Sequence, residues 1–66
     1  MIDARGLSCP EPVILLRKEM KEHPSERYEI MVDNRVSVEN ISRLASKERL
    51  TPTVTEDAGT YTVVLS

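Results

Sequence analysis

Tyr28-Glu29-Ile30-Met31-Val32-Asp33-Asn34-Arg35 is the stretch on which the fold turns. Tyr28, Ile30 and Val32 alternate with Glu29 and Met31, the period of a strand with one face against a core. A strand buried on both faces would read as an unbroken apolar run. The segments before and after it carry helical spacing, so the sheet is expected to be covered by helices on one face only. Asp33-Asn34-Arg35 ends the strand as a polar turn.

Upstream, Val13, Leu16 and Met20 share one helical stripe, broadened by Ile14. Pro12 suits the first turn, where a missing N–H is no loss. Glu11 complements the positive end of the helix dipole. The helix is predicted to run to Glu22 or His23, with Arg17, Lys18 and Lys21 in its later part, and Pro24 prevents continuation. Before it, residues 1–5 read as a short strand with Ile2 and Ala4 on one face, broken by Gly6. Residues 7–10 form a loop, because Cys9 precedes Pro10 and so avoids the helical region.

Downstream, Ser37 is the predicted N-cap of a second helix. Val38, Ile41, Leu44 and Ala45 form its apolar stripe, while Arg43, Lys47, Glu48 and Arg49 face water. Thr51-Pro52 ends it. Residues 53–56 and 60–65 read as strands around the hairpin turn Asp57-Ala58-Gly59. Tyr61, Val63 and Leu65 alternate with Thr60, Thr62 and Val64. The order β-α-β-α-β-β predicts an α/β two-layer sandwich, two helices on one face of a four-stranded mixed sheet. Residues 1–66 are expected to form one domain.

A chain of 66 residues buries only ~60% of its unfolded surface. Phe and Trp are absent, so the core is expected to be Leu, Ile, Val, Met and Ala, with Tyr28 and Tyr61 at its margins. One cysteine permits no disulfide within the chain, and no paired Cys and His pattern suggests a metal. Eleven acidic residues against nine basic ones, net −2, oppose binding to nucleic acid. No apolar run approaches the ~20 residues of a membrane span. The N-terminus lacks a signal-peptide pattern, and a lone thiol fits the reducing cytoplasm.

The β-α-β start implies parallel first and second strands joined by a right-handed crossover. The loops after both strands then open at one sheet edge, where ligands bind in α/β folds. That places the Cys9 loop near Asp33, Asn34 and Arg35. A helix N-terminus lowers a thiol pKa from its free value of ~8.5. Arg5 would add to this and Glu11 oppose it, while Pro10 and Pro12 stiffen the loop. Cys9 also reads as a small buried hydrophobe, and the second turn as an ordinary solvated one. His23 is at the far end of the first helix and reads as a helix-end residue rather than a base.

Asp3-Ala4-Arg5-Gly6-Leu7-Ser8-Cys9-Pro10-Glu11-Pro12 resembles the signature of the TusA/SirA-type sulfur-carrier proteins, a Cys-Pro-x-Pro motif preceded by Gly-Leu. Residues 13–18 are similar too, and the likeness covers the whole chain in length and element order. Val32-Asp33-Asn34, followed by Val38-Glu39-Asn40 and Arg43, is similar to the N-terminal domain of the YedF-like proteins linked to selenium metabolism. Those carry a further C-terminal domain, so the chain reads as a stand-alone relative or as a segment of a longer protein.

The resemblance implies a sulfurtransferase-like carrier. A cysteine desulfurase-like donor would load Cys9 as a persulfide, and a downstream acceptor protein in a sulfur- or selenium-related pathway would receive the sulfur. It implies no cofactor. The supporting loop would be Asp3, Arg5, Gly6, Pro10, Glu11 and Pro12, with Asp33, Asn34 and Arg35 as a second loop. Two other classes stay open: a non-catalytic interaction or regulatory module, and an RNA-binding domain. The lack of stacking aromatics weighs against the latter.

Overall fold

The computed structural model describes residues 2–8, 10–24 and 27–66. The expected strand Tyr28–Val32, β2, lies inside the sheet, with β1 (Ile2–Asp3) parallel on one side. On its other side β4 (Thr60–Leu65) runs antiparallel, and β3 (Pro52–Asp57) pairs antiparallel with β4 at the outer edge. Helices α1 (Glu11–Glu22) and α2 (Arg35–Lys47) complete the order β-α-β-α-β-β.

Register explains the layering. Ile2, Ile30, Val63 and Val54 form one row across the four strands. Tyr28 and Leu65, and Val32 and Tyr61, are paired on the same face. Leu16 of α1 and Ile41, Leu44 and Ala45 of α2 join Ile30, Val32, Val63 and Leu65 in one buried core. The other face carries Glu29, Met31, Thr53, Thr55, Thr62 and Val64, none of them fully buried. This is the expected sandwich of two helices on one face of a mixed sheet.

Several local expectations shift. The first strand is Ile2–Asp3 rather than residues 1–5, and Met1 lies outside the described residues. Ala4 continues the pairing through its N–H to the Met31 carbonyl at 2.8 Å. Tyr28 belongs to the core rather than its margin; its hydroxyl reaches the His23 carbonyl at 3.4 Å. Val54 sits on the core-facing row yet is 44% exposed, because β3 is the sheet edge.

The second helix starts earlier than expected. Asn34, not Ser37, is the N-cap, and its side-chain oxygen accepts from the Ser37 N–H at 2.8 Å. Asn and Ser are comparable caps. The strand ends at Val32, which leaves Asn34 extended and three residues ahead of the N–H it caps. Ser37 is therefore inside the first turn and buried, and its hydroxyl lacks a hydrogen-bond partner among the described residues.

Helix α2 also ends before Thr51-Pro52. Leu50 N–H donates to the Ala45 carbonyl at 2.8 Å and Arg49 N–H to that of Ser46 at 3.2 Å, a Schellman closure. Arg49 sits at φ 59°, a left-handed conformation that glycine adopts without penalty. Arg49→Gly should therefore stabilise the fold by about 1 kcal/mol, since the left-handed form costs a side-chain-bearing residue ~1–2 kcal/mol. Urea unfolding should show a higher midpoint at unchanged slope, and a lower midpoint would contradict this account of the helix end.

Candidate functional site

Parallel β1 and β2 send the chain out at the same sheet edge, and a hydrogen bond joins the two loops there. Gly6 N–H donates to Asp33 Oδ2 at 2.7 Å. Asp33 Oδ1 accepts from Asn34 Nδ2 at 3.3 Å, while Asn34 caps α2. The turn after β2 thus anchors the loop after β1. Arg35, the third residue of the expected second loop, is the first residue of α2 and exposed.

The first loop is fixed at both ends. Ala4 is fully buried, Leu7 packs partly against the core, and Leu7 N–H donates to the Ala4 carbonyl at 3.3 Å. Gly6 has φ 81°, and a Cβ there would meet open space. The need for glycine is therefore conformational rather than spatial. At the other end Pro10 is the N-cap of α1, without a side-chain cap, and Glu11 N–H donates to the Ser8 carbonyl at 2.9 Å. Pro12 is buried and pins the first turn of α1 to the core, while Ser8, Pro10 and Glu11 are exposed. Cys9, the expected nucleophile, lies outside the described residues; its covalent neighbours Ser8 and Pro10 are each exposed.

Arg5 is engaged within its own loop. Its guanidinium forks onto Asp3, Nε to Oδ1 at 2.9 Å and Nη2 to Oδ2 at 2.8 Å, and its N–H adds a third bond at 3.2 Å. The Arg5 side-chain bonds first, then its backbone bond, hold the Asp3 carboxyl down from 3.8 to about 2. Asp3 in turn raises the Arg5 pKa. A carboxyl whose folded pKa is depressed stabilises the fold above its ordinary value and loses that contribution as pH falls through the folded value. Asp3 therefore favours the folded loop above about pH 3.8 and stops doing so near pH 2. Titration of the Asp3 carboxyl by NMR should give a midpoint near 2, moving towards 3.8 in Arg5→Ala. An unchanged midpoint would mean that the fork does not persist in solution.

His23 is the C-cap of α1, at the opposite end from Pro10. A cavity of about 450 Å³ is at that end and is lined by Ile2, Glu19, His23 and Tyr28 among others. It is remote from the loop that precedes α1. Among the described residues no group of three His, Cys, Asp or Glu could hold a metal ion. No helix there is long and apolar enough to cross a membrane. The Asp33–Gly6 bond is the site feature that local sequence signals do not carry. Topology brings the two loops to one edge, but only the folded chain puts this carboxylate on that amide.

The family model described as Sulfurtransferase TusA matches residues 1–66. Among solved structures, the chain is similar to a SirA-like protein from Desulfitobacterium hafniense, with TM-score 0.85 and 30% identity over 97% of this chain and 90% of that one. No curated protein matches.

Proposed function

The chain belongs to the sulfurtransferase TusA family, and from that premise we propose that it carries sulfane sulfur as a persulfide on Cys9. Proteins of this family receive sulfur from a donor and pass it on. The observation that carries the finer reading is the anchoring of the loop. Gly6 is bonded to Asp33 and Pro12 is buried, while Ser8 and Pro10 on either side of Cys9 are exposed. Anchored flanks and exposed neighbours suit a thiol that must meet sulfur on another protein at low entropic cost. A position just ahead of α1 favours the thiolate over the thiol.

The step conserves atoms and electrons. The Cys9 thiolate attacks the terminal sulfur of the donor's persulfide and a new S–S bond forms at Cys9 Sγ. The donor's own S–S bond breaks, and its cysteine leaves as thiolate. The transferred sulfur keeps its oxidation state, so neither oxidant nor cofactor enters. With one cysteine in the chain, the persulfide cannot collapse to an internal disulfide and is handed to an acceptor thiolate by the same exchange. Residues 1–66 act as one carrier domain, in the cytoplasm, between a cysteine desulfurase-like donor and an acceptor of a sulfur- or selenium-related pathway.

Incubation with a cysteine desulfurase and radiosulfur-labelled cysteine tests this reading. Label should migrate with the chain on a non-reducing gel and leave on adding dithiothreitol. Label that stays after reduction, or never arrives, would contradict it.

A further inference from the structure

Arg17, Arg43 and Lys47 converge on one groove between α1 and α2, although the chain carries net charge −2. The groove is about 380 Å³, and Val13 and Leu44 supply its apolar lining. Helical spacing builds it. Val13 and Arg17 are one turn apart on α1; Asn40, Arg43, Leu44 and Lys47 follow the i, i+3, i+4, i+7 pattern on α2. Among the described residues no carboxylate lines the groove, and none of its three cations makes an ion pair. All three are exposed. Like charges gathered without counter-charge raise the local potential and attract an anionic partner. Pro10 also lines the groove, and Pro10 is bonded to Cys9.

We propose that this groove docks an acidic segment of the protein that loads sulfur onto Cys9. Carboxylates of that segment meet Arg17, Arg43 and Lys47, and an apolar side chain between them rests on Val13 and Leu44. The proposal rests on the carrier reading above. A protein segment fits better than a small oxyanion, because the groove is open and part of its lining is apolar. It fits better than nucleic acid because no aromatic ring lines the groove for base stacking. Docking beside Pro10 would bring the donor's persulfide to the loop, and the cations would set the encounter rate.

The test compares two sulfur sources on the full chain, a cysteine desulfurase with cysteine and inorganic polysulfide. The variants are Arg43→Glu/Lys47→Glu and the milder Arg43→Gln/Lys47→Gln, which removes the charges while keeping an unbranched side chain and helix propensity. Loading from the desulfurase should fall about tenfold or more in the Glu pair and by less in the Gln pair. Added salt should slow the wild type and barely affect the Glu pair. Loading from polysulfide and the melting temperature should be unchanged. Equal desulfurase rates for variant and wild type overturn the groove, and so does a matching fall with polysulfide or wild-type loading from polysulfide alone. A wild type that takes sulfur from neither source overturns the carrier reading itself.

Discussion

Leu16→Ala should unfold this protein at a much lower temperature than the wild type. Leu16 is fully buried on the inner face of α1, in the core that holds Ile30, Ile41 and Val63. A buried Leu→Ala change typically costs ~2–5 kcal/mol, as lost transfer energy plus an unfilled cavity. At ~0.05–0.15 kcal/mol per residue, a domain of this size holds roughly 3–10 kcal/mol in total. The substitution thus removes a large share of the stability, and the melting temperature should drop by about 10 °C or more. Ile14→Ala, two residues earlier and 56% exposed, is the control and should stay within about 0.5 kcal/mol of wild type. Equal melts for the two variants would mean that α1 is docked through a different face.

Cys9→Ser should have the opposite profile, with sulfur transfer abolished and the melt nearly unchanged. A serine hydroxyl remains protonated at neutral pH and forms no persulfide, so no residual route exists in a chain with one thiol. The stability expectation follows from the exposed neighbours Ser8 and Pro10 and from the nearby core being closed by Ala4, Leu7 and Pro12. A thermal melt beside a transfer assay separates the roles. If Cys9→Ser melted as early as Leu16→Ala, the thiol would be a packing residue and the carrier reading would lose its nucleophile.

The alternation in Tyr28–Val32 was enough to expect a sheet covered on one face, because a strand's period of two sorts its side chains before any partner is known. The hairpin was equally legible. Ala58 and Gly59 both adopt positive φ, at 51° and 84°, as a two-residue turn between twisted strands requires. Helix starts were harder, since Asn34 and Ser37 are both good caps and the end of β2 decided between them. The parallel pairing of β1 with β2 was expected from the crossover rule and brought the two loops together. What joins them was not legible. Asp33 looks like any turn acid until the fold places it on the Gly6 N–H, 27 positions away in sequence. Arg17 and Lys47 likewise read as charges on two separate helices, and only the packing of α1 beside α2 puts them in one groove.

If Cys9 receives one sulfur atom, the intact mass of the protein must record it. After incubation with a cysteine desulfurase and cysteine, the wild type should gain the mass of one sulfur and lose it on reduction. Cys9→Ser under the same conditions should gain nothing. A wild-type mass that stays constant with several competent donors, or a gain that survives in Cys9→Ser, would contradict the account.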